Sequence, residues 1–363
     1  MSALRLGVIG VGHLGKEHAR ILSGLPGVTL AGVADVNAAQ AEMVARRCGT
    51  KAFPDYRPLL DVIDAAVIAV PTTQHHAVAG DVLNAGIPAL VEKPLAATLE
   101  QAEALLASSL ARSVLLQVGH IERFNPAFEA LRELVFTPKY VSSERLGGYT
   151  GRSSDVGVVL DLMIHDIDLL LALVASPVTH VEALGVSVLG GPEDVAAARV
   201  VFDDGCVADL RASRLAAATL RRMQAWGPEG FASLDFARKN LTLTQPSAAL
   251  CRHRAGQRPF GEPELLALKQ DLLGGHLQVQ EINGDGCDQL TKELHEFVHC
   301  VRTGDRPRAG GEEGCAAIAV ATRILESIQA HRWDGKAGNL RGPNAFVPPP
   351  TTPLRSPEAG VAA

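Results

Sequence analysis

The chain has 363 residues, of which 47% are hydrophobic and 20% are charged. This composition excludes a disordered chain, because enough apolar surface is present to build a core, and the length predicts two or three domains. With 34 basic and 40 acidic residues, the net charge of -6 argues against a nucleic-acid-binding protein, which usually carries a basic excess.

The first 120 residues predict an alternation of buried strands and helices. Short, continuous apolar runs indicate the strands, and segments of helical length separate them. The runs are Leu4–Ile9, Val28–Ala34, Ala65–Val70, Ile87–Val91 and Val114–Val118, and the helical segments are Lys16–Leu22, Asn37–Cys48, His75–Asn84 and Leu99–Leu110. This order is typical of a Rossmann-type α/β domain over 1–120, a doubly wound parallel sheet with its ligand crevice at the carboxyl ends of the strands.

From residue 121 the apolar pattern changes to period-two alternation, which predicts strands with one buried face. The alternating segments are Val181–Leu189, Ala198–Phe202 and Val207–Ser213, and helices are expected at Val158–Leu173, Asp288–Arg302 and Glu312–Ala330. These elements predict an α+β domain over 121–335 with a large, mostly antiparallel, open-faced sheet. Residues 336–363 are rich in Pro and Gly, which predicts a flexible tail.

The sequence predicts a cytoplasmic protein with no membrane partner. No apolar run approaches the roughly 18 residues that span a bilayer, and the N-terminus lacks the features of a secretory signal. The six cysteines form no CxxC pair, which favours reduced thiols over a disulfide framework.

A glycine-rich turn follows the first predicted strand and opens the first helix: Gly10-Val11-Gly12-His13-Leu14-Gly15. In this context GxGxxG predicts dinucleotide binding, since its glycines allow a tight turn, a close approach to pyrophosphate and close helix packing. Asp35 ends the second predicted strand, where a carboxylate can bind the adenosine ribose and repel a 2′-phosphate. Because Val36 and Asn37 offer no arginine, NAD is favoured over NADP.

Two further segments carry groups suited to oxidation of an alcohol. Glu92-Lys93-Pro94 ends the fifth predicted strand, at the edge where a nicotinamide is expected. On the apolar helix of the second domain, Asp161 and His165 are one helical turn apart and Asp168 falls near the same face. Buried polar side chains are costly without partners, so this helix predicts a polar site.

These motifs together resemble the Gfo/Idh/MocA family over about residues 4–330. The resemblance implies a two-domain, NAD(P)-dependent sugar or polyol oxidoreductase that forms a homodimer or tetramer through its open sheet face. It implies a catalytic group of Lys93, Asp161 and His165, and cofactor contacts that include Pro71, Thr72, His75, Glu92 and Lys93. The chemistry agrees, because a neutral histidine suits a general base near pH 7 and a lysine stabilises the developing oxyanion.

The segment from Gly119 to Pro126, GHIERFNP, resembles the nucleotide-sugar branch of that family. A UDP-sugar such as UDP-N-acetylglucosamine is therefore the expected substrate, and the expected contacts are Lys93, Arg123, Asn125, Asp161 and His165. Its pyrophosphate suits bidentate binding by Arg123, Arg145 or Arg152.

Several alternatives remain open at this stage. Arg123 could instead close over the nicotinamide, and the other two arginines could be solvated. A free sugar or an inositol-type polyol could be the substrate. A non-catalytic NAD-binding sensor or regulator is a further possibility, but such a protein is expected to lose Lys93 or His165, and both are present.

One motif points to different chemistry. His295-Glu296-Phe297-Val298-His299 matches the HExxH helix of zinc metalloproteases, and Glu313 or Glu326 could supply a third ligand. The segment is also amphipathic, which favours a packing helix. Adjacent His75 and His76 point in different directions and suit a metal poorly. No metal site is predicted.

Overall fold

The computed structural model describes residues 3–149, 151, 156–248, 250–251, 261, 263, 266, 275–284, 286–335 and 338–345. Arg152 and most of the Pro/Gly-rich segment after residue 335 lie outside the described residues. In the described part, no helix combines the length and the apolar character needed to cross a membrane.

The N-terminal part forms a six-stranded parallel sheet of order β3-β2-β1-β4-β5-β6. Its strands are β1 (Leu4–Ile9), β2 (Val28–Ala34), β3 (Ala52–Phe53), β4 (Ala65–Ile68), β5 (Ala89–Glu92) and β6 (Leu116–Gly119). Its helices are α1 (Gly15–Gly24), α2 (Ala38–Cys48), α3 (Arg57–Leu60), α4 (Thr72–Asn84) and α5 (Leu99–Arg112). The predicted Rossmann sheet is confirmed. The sequence pattern missed β3 and α3, which are too short to show a period.

The second sheet has eight strands in the order β14-β13-β12-β11-β7-β10-β9-β8. They are β7 (Tyr140–Leu146), β8 (Val178–Val186), β9 (Val195–Phe202), β10 (Val207–Ser213), β11 (Leu220–Gly227), β12 (Gly230–Asp235), β13 (Asn240–Pro246) and β14 (Leu277–Asn283). The β7–β10 pair is parallel, and the other neighbours are antiparallel. The prediction of a mostly antiparallel second sheet is therefore confirmed.

Four further helices and two irregular turns complete the described fold. They are a 3₁₀ turn (Ile121–Phe124), α6 (Pro126–Arg132), a π-helical turn (Val159–Met163), α7 (Ile164–Leu173), α8 (Gln289–Thr303) and α9 (Gly311–Ala330). Helix α9 packs on β8, α5 and α7. In the second sheet, buried and more exposed residues alternate along β7, β10 and β12, so the helices cover one face there and leave the other open.

Helix α8 packs on the first sheet although it follows the second sheet in the chain. Its Leu294 and Phe297 are fully buried in one cluster with Leu6 and Val8 of β1. The chain after α8 also joins β6, where the Val118 amide donates to the carbonyl of Ala309. A domain boundary near residue 120 stays a prediction, and the first sheet is covered by residues from both sides of it.

Candidate active site

The glycine-rich turn has the backbone geometry that a bound pyrophosphate requires. Gly10 has φ +83°, and a Cβ there would lie 2.7 Å from the carbonyl oxygen of Ala69. A Cβ on Gly15 would lie 1.8 Å from the carbonyl oxygen of Gly10, so the helix start packs too closely for a side chain. Gly12, in contrast, has no atom within 4 Å of such a Cβ. The fold therefore requires Gly10 and Gly15, while Gly12 keeps space open for a ligand.

A cleft of about 800 Å³ opens where the strand order reverses between β1 and β4. Gly10, Gly12, Asp35 and Pro71 line it. Asp35 accepts hydrogen bonds from the amide of Val11 at 2.9 Å and from the amide of Asn37 at 2.8 Å. Its carboxylate thus lies at the rim of the cleft, where the expected dinucleotide would present its adenosine ribose. His13 and Leu14 are exposed beside the turn, and Thr72 begins α4 with part of its surface exposed.

The cleft also contains an arginine that the sequence argument missed. Arg57 lines the cleft together with Asp35 and Tyr56. It lies 3.3 Å from a carboxylate oxygen of Asp55 and 3.9 Å from one of Asp81, so its charge is already balanced. Val36 and Asn37, directly after Asp35, offer no ligand for a 2′-phosphate, but β3 and α3 bring Arg57 to the same end of the sheet.

Lys93 and Asp161 meet although 68 positions separate them in the chain. The Nζ of Lys93 donates to the main-chain carbonyl of Asp161 at 2.6 Å and to its Oδ1 at 3.1 Å. Lys93 follows β5 and precedes a cis peptide bond to Pro94, while Asp161 lies in the π-helical turn. Both side chains keep some exposure, 14% and 24% respectively, so this charged pair can still reach a ligand.

His165 lies one turn beyond Asp161, at the start of α7. Part of its surface remains exposed, but its Nδ1 is buried and has no hydrogen-bond partner among the described residues. Burial lowers the pKa of His165 well below its usual value, and the positive charges of Lys93 and Arg145 lower that pKa further. The ring is therefore neutral near pH 7, and Nε2 is the nitrogen left to accept a proton.

The other acidic residues of this helix are paired with buried cations. Asp166 accepts from Nε and Nη2 of Arg145 at 3.0 and 3.1 Å, and Arg145 also donates to Glu122 at 2.9 Å. Asp168 accepts from Arg123 at 2.7, 2.8 and 3.1 Å. The polar partners expected for this helix are thus supplied by β5, β7 and the 3₁₀ turn.

These pairs change the interpretation of the expected phosphate ligands. Arg123 and Arg145 are 6% and 4% exposed, so neither is a solvated residue nor available to a pyrophosphate. Arg123 also contacts the main-chain carbonyl of Arg308. Asn125 is fully buried, where it donates to Glu122 at 2.9 Å and to the carbonyl of Phe236 at 3.1 Å. Structural partners therefore occupy Arg123, Arg145 and Asn125, whereas Lys93, Asp161 and His165 keep some exposure.

Two of the residues expected to contact the cofactor, Glu92 and His75, are also buried. Glu92 is 8% exposed, and its Oε1 lies 2.6 Å from Nε2 of His18. His75 is 1% exposed, with Nδ1 2.7 Å from the Pro94 carbonyl and Nε2 2.9 Å from the Val70 carbonyl. Both side chains help to shape the strand ends beside the cleft, and neither faces open space.

A second arginine was missed beside the helix. Arg221 stands opposite Arg145 in the β11–β7 register and shares a sheet face with the buried Met223. It is exposed, and its side chain has no hydrogen bond or ion pair within the described part of the chain. Its positive charge contributes to the lowered pKa of His165, so it lies in the same region. Arg221 stands at every second position with the apolar Met223 and Ala225, and this period-two pattern is the sequence signal that could have placed it on their sheet face.

The HExxH segment lies on α8. His295 and His299 are exposed, and Nε2 of His299 lies 2.9 Å from Asp305. Glu296 instead accepts from the amide of Arg308 at 3.2 Å. The buried side of this helix is apolar except for Glu293, in agreement with a mainly packing role. Whether the protein holds a metal stays a prediction.

Two family models match the chain. Residues 4–120 match the model of an oxidoreductase family with an NAD-binding Rossmann fold, and residues 136–233 match the GFO/IDH/MocA C-terminal domain. The chain is 34% identical over 331 residues to UDP-N-acetylglucosamine 3-dehydrogenase of Acidithiobacillus ferrooxidans, covering 91% of this chain and 99% of that protein. It is also 30% identical over 231 residues to scyllo-inositol 2-dehydrogenase (NAD(+)) of Bacillus subtilis, covering 58% and 67%.

The solved structures agree with the sequence comparison. The fold matches that of the same UDP-N-acetylglucosamine 3-dehydrogenase, GnnA from Acidithiobacillus ferrooxidans, with a TM-score of 0.78 and 33% identity over 90% of this chain and 98% of that one. With its two sheets, its glycine-rich cleft and its Lys93–Asp161 pair, the chain belongs to the Gfo/Idh/MocA family of NAD-binding oxidoreductases.

Proposed function

We propose that the protein is an NAD-dependent dehydrogenase that oxidises a secondary hydroxyl of a nucleotide sugar, with His165 as general base. The observation that carries this proposal is the Lys93–Asp161 contact beside a neutral histidine, at the strand end next to the dinucleotide cleft. A sensor without catalysis would need neither group in this arrangement.

Each side chain has a distinct role in the proposed reaction. Gly10, Gly12 and Asp35 would hold NAD in the cleft, and this cofactor would supply the acceptor for the hydride of the substrate carbon. His165 removes the hydroxyl proton through Nε2, and its low pKa keeps it able to do so near pH 7. Lys93 donates a hydrogen bond to the oxygen as negative charge develops there. Asp161 holds the Lys93 ammonium group at 3.1 Å and limits its freedom before substrate arrives.

The substrate class follows from the similarity to the Acidithiobacillus protein, whose name specifies UDP-N-acetylglucosamine. We infer that Arg221, rather than Arg123 or Arg145, binds the phosphates of such a substrate. Arg221 is exposed and unpaired in the described structure, on the sheet face that carries the site, whereas Arg123 and Arg145 are in buried ion pairs. A guanidinium in this state can bind phosphate without breaking an existing contact.

The test mixes purified protein with NAD and follows NADH absorbance with UDP-N-acetylglucosamine, free N-acetylglucosamine, glucose and myo-inositol in parallel. Reduction with the UDP-sugar alone, and its loss in His165→Ala with NADH binding retained, would agree with the proposal. Reduction only with a free sugar or polyol would replace the substrate class. A His165→Ala variant with normal turnover would contradict the mechanism.

Arg221→Met tests the phosphate contact. A charge-assisted hydrogen bond contributes about 1.5–3 kcal/mol, so we expect KM for the UDP-sugar to rise roughly 10- to 150-fold. The KM for NAD should not change. Arg222→Met is the matched control, since the neighbouring side chain of a strand points to the opposite face. Equal effects of both variants would contradict a specific role for Arg221.

We also infer a homodimer or tetramer formed through the open face of the second sheet, in the cytoplasm. That face carries a stacked aromatic group, in which Trp226 lies 5.1 Å from Tyr140 and 5.0 Å from Phe231 between ring centroids. Light scattering of the purified protein, and of Trp226→Glu, measures this directly. A monomeric wild-type protein would refute the proposed assembly.

A further inference from the structure

Three buried ionisable side chains form a cluster beside Lys93. His18 comes from α1, Glu92 ends β5, and Glu293 lies on α8. Their exposed fractions are 0%, 8% and 0%. One nitrogen or carboxylate oxygen from each lies within 4.8 Å of the other two. The cluster therefore joins the helix of the glycine-rich turn, the strand that leads to Lys93, and the late helix α8.

Glu92 is the ionised member of this cluster. Its Oε1 lies 2.6 Å from Nε2 of His18. Burial raises the pKa of Glu92, but the hydrogen bond and charge of His18, together with the charge of Lys93, outweigh burial and leave this pKa below its usual value. Glu92 is thus a carboxylate that accepts hydrogen bonds.

The carboxyl group of Glu293 differs from that of Glu92 in its hydrogen bonding and its protonation. Both of its carboxyl oxygens are buried without a hydrogen-bond partner in the described structure. The side-chain amide of Gln117 reaches only the main-chain carbonyl of Glu293, at 3.4 Å. A buried carboxylate without donors is far more costly than the neutral acid. Burial, followed by the negative charges of Glu92 and Glu296, raises the pKa of Glu293 well above its usual value.

Among the residues that the structure describes, no cation forms an ion pair with Glu293, and His18 is paired with Glu92. On the surrounding elements the charged groups nearest the cluster are Glu296 on α8, His18 on α1, Glu92 and Lys93 at the end of β5, and Glu122 and Arg123 in the 3₁₀ turn. The helices also carry Lys292, His295, His299, Cys300 and Arg302 on α8 and Lys16, Glu17 and Arg20 on α1, none of which contributes to the raised pKa of Glu293. Glu296 pairs with Arg308, Lys93 with Asp161, Glu122 with Arg145 and Arg123 with Asp168.

We propose that Glu293 is a positioning residue whose neutral carboxyl group donates a hydrogen bond to the carboxylate of Glu92 and thereby fixes the end of β5 that carries Lys93. One proton is shared within the pair and is not transferred to substrate. If Glu293 lost it, two negative charges would lie within 4.8 Å in the protein interior. Repulsion would then displace the strand end, and Lys93 with it. The catalytic consequence rests on the proposed function.

A divalent cation is the alternative occupant, since imidazole and carboxylate are common metal ligands. The 2.6 Å separation between His18 and Glu92 is that of a hydrogen bond. Two ligands at about 2.0–2.1 Å from a tetrahedral zinc ion would lie farther apart, at about 3.3 Å. The geometry therefore favours a proton over a metal.

The first experiment compares Glu293→Gln, which keeps a neutral donor, with Glu293→Met, which has none. We expect kcat of Glu293→Gln to stay within about threefold of wild type near pH 7 and that of Glu293→Met to fall at least tenfold, because small displacements at a reacting centre cost about 10²-fold. The KM for the sugar should change little. As pH rises, wild type should lose activity earlier than Glu293→Gln. Equal damage in both variants, or none in Glu293→Met, would overturn the proposal.

The second experiment needs no substrate, so it tests the cluster even if the proposed function is wrong. A raised pKa means that the folded state binds more protons than the unfolded state, so this group lowers stability as pH rises above about 4.3. In urea unfolding, Glu293→Gln should therefore gain stability relative to wild type with increasing pH. Glu103→Gln, on the exposed side of α5, is the control and should show no such trend. The proposal would be refuted if the difference in unfolding free energy between Glu293→Gln and wild type did not change with pH. It would also be refuted if the wild-type protein held stoichiometric metal that Glu293→Gln loses.

Discussion

The Arg123–Asp168 pair gives a direct test of the site geometry. Arg123→Met removes three hydrogen bonds from Asp168, which is 1% exposed. Among the described residues, the only other side chain within ion-pair distance of Asp168 is His120, whose Nε2 lies 3.8 Å away, and burial lowers the pKa of this histidine. Breaking a buried ion pair on one side costs about 3–5 kcal/mol, since the other charge stays buried.

This cost should be visible in thermal unfolding. At about 2.1 cal/mol/K of unfolding entropy per residue, it lowers Tm by roughly 4–7 °C if the chain unfolds as one unit. Differential scanning calorimetry measures the shift. Arg5→Met is the control, because Arg5 forms an equally short but exposed pair with Asp64 at 2.6 Å and should change Tm little.

A double variant separates the two explanations for Arg123. Replacing both partners, in Arg123→Met/Asp168→Leu, should recover much of the lost stability because no buried charge remains. If Arg123 instead bound substrate phosphate, Arg123→Met would leave Tm unchanged and raise KM for the UDP-sugar by about tenfold or more. That result would refute the structural role.

Further variants test the remaining parts of the site. Because the pKa of His165 is lowered, its protonation and the acid limb of kcat/KM should lie well below about pH 6.5. In an NMR titration, Lys93→Met should move the pKa of His165 upward, and an unchanged pKa would contradict the role of the Lys93 charge. Gly15→Ala should unfold or fail to accumulate, because its Cβ would lie 1.8 Å from a carbonyl oxygen. Gly12→Ala should fold, since its Cβ meets no atom within 4 Å, and should bind NADH more weakly in a fluorescence titration. Normal NADH affinity of Gly12→Ala would argue against pyrophosphate at Gly12. Asp35→Asn should raise KM for NAD and lower KM for NADP, and unchanged values would remove Asp35 from cofactor selection.

The sequence predicts the parts of the molecule that depend on local pattern. Strands β1, β2 and β10 have the predicted bounds because their apolar runs end abruptly at turns. The GxGxxG turn and Asp35 could be assigned because strand, turn and helix are contiguous there. Several strands of the second sheet were not predicted, since their open face is polar and one of them, β14, is mostly exposed.

Side-chain direction in the site could not be predicted, because it depends on partners far away in the chain. Arg123 turns to Asp168, 45 residues on, and Glu92 turns to His18, 74 residues back. From sequence alone, Arg123 and Arg221 are equivalent candidates for a phosphate. Only the tertiary structure reveals that Asp168 binds the first while the second keeps its donors free within the described structure.

The position of α8 has a consequence for synthesis. The sheet of the first 119 residues is complete long before Phe297 and Leu294 arrive to cover β1, about 170 residues later. At about 5–20 residues per second this delay lasts roughly 9–35 s. During that time an apolar face of the nascent sheet is open to chaperones or to other nascent chains. Fragments ending near residue 120 should therefore aggregate, and the apolar face of the first sheet is covered only after α8 has left the ribosome.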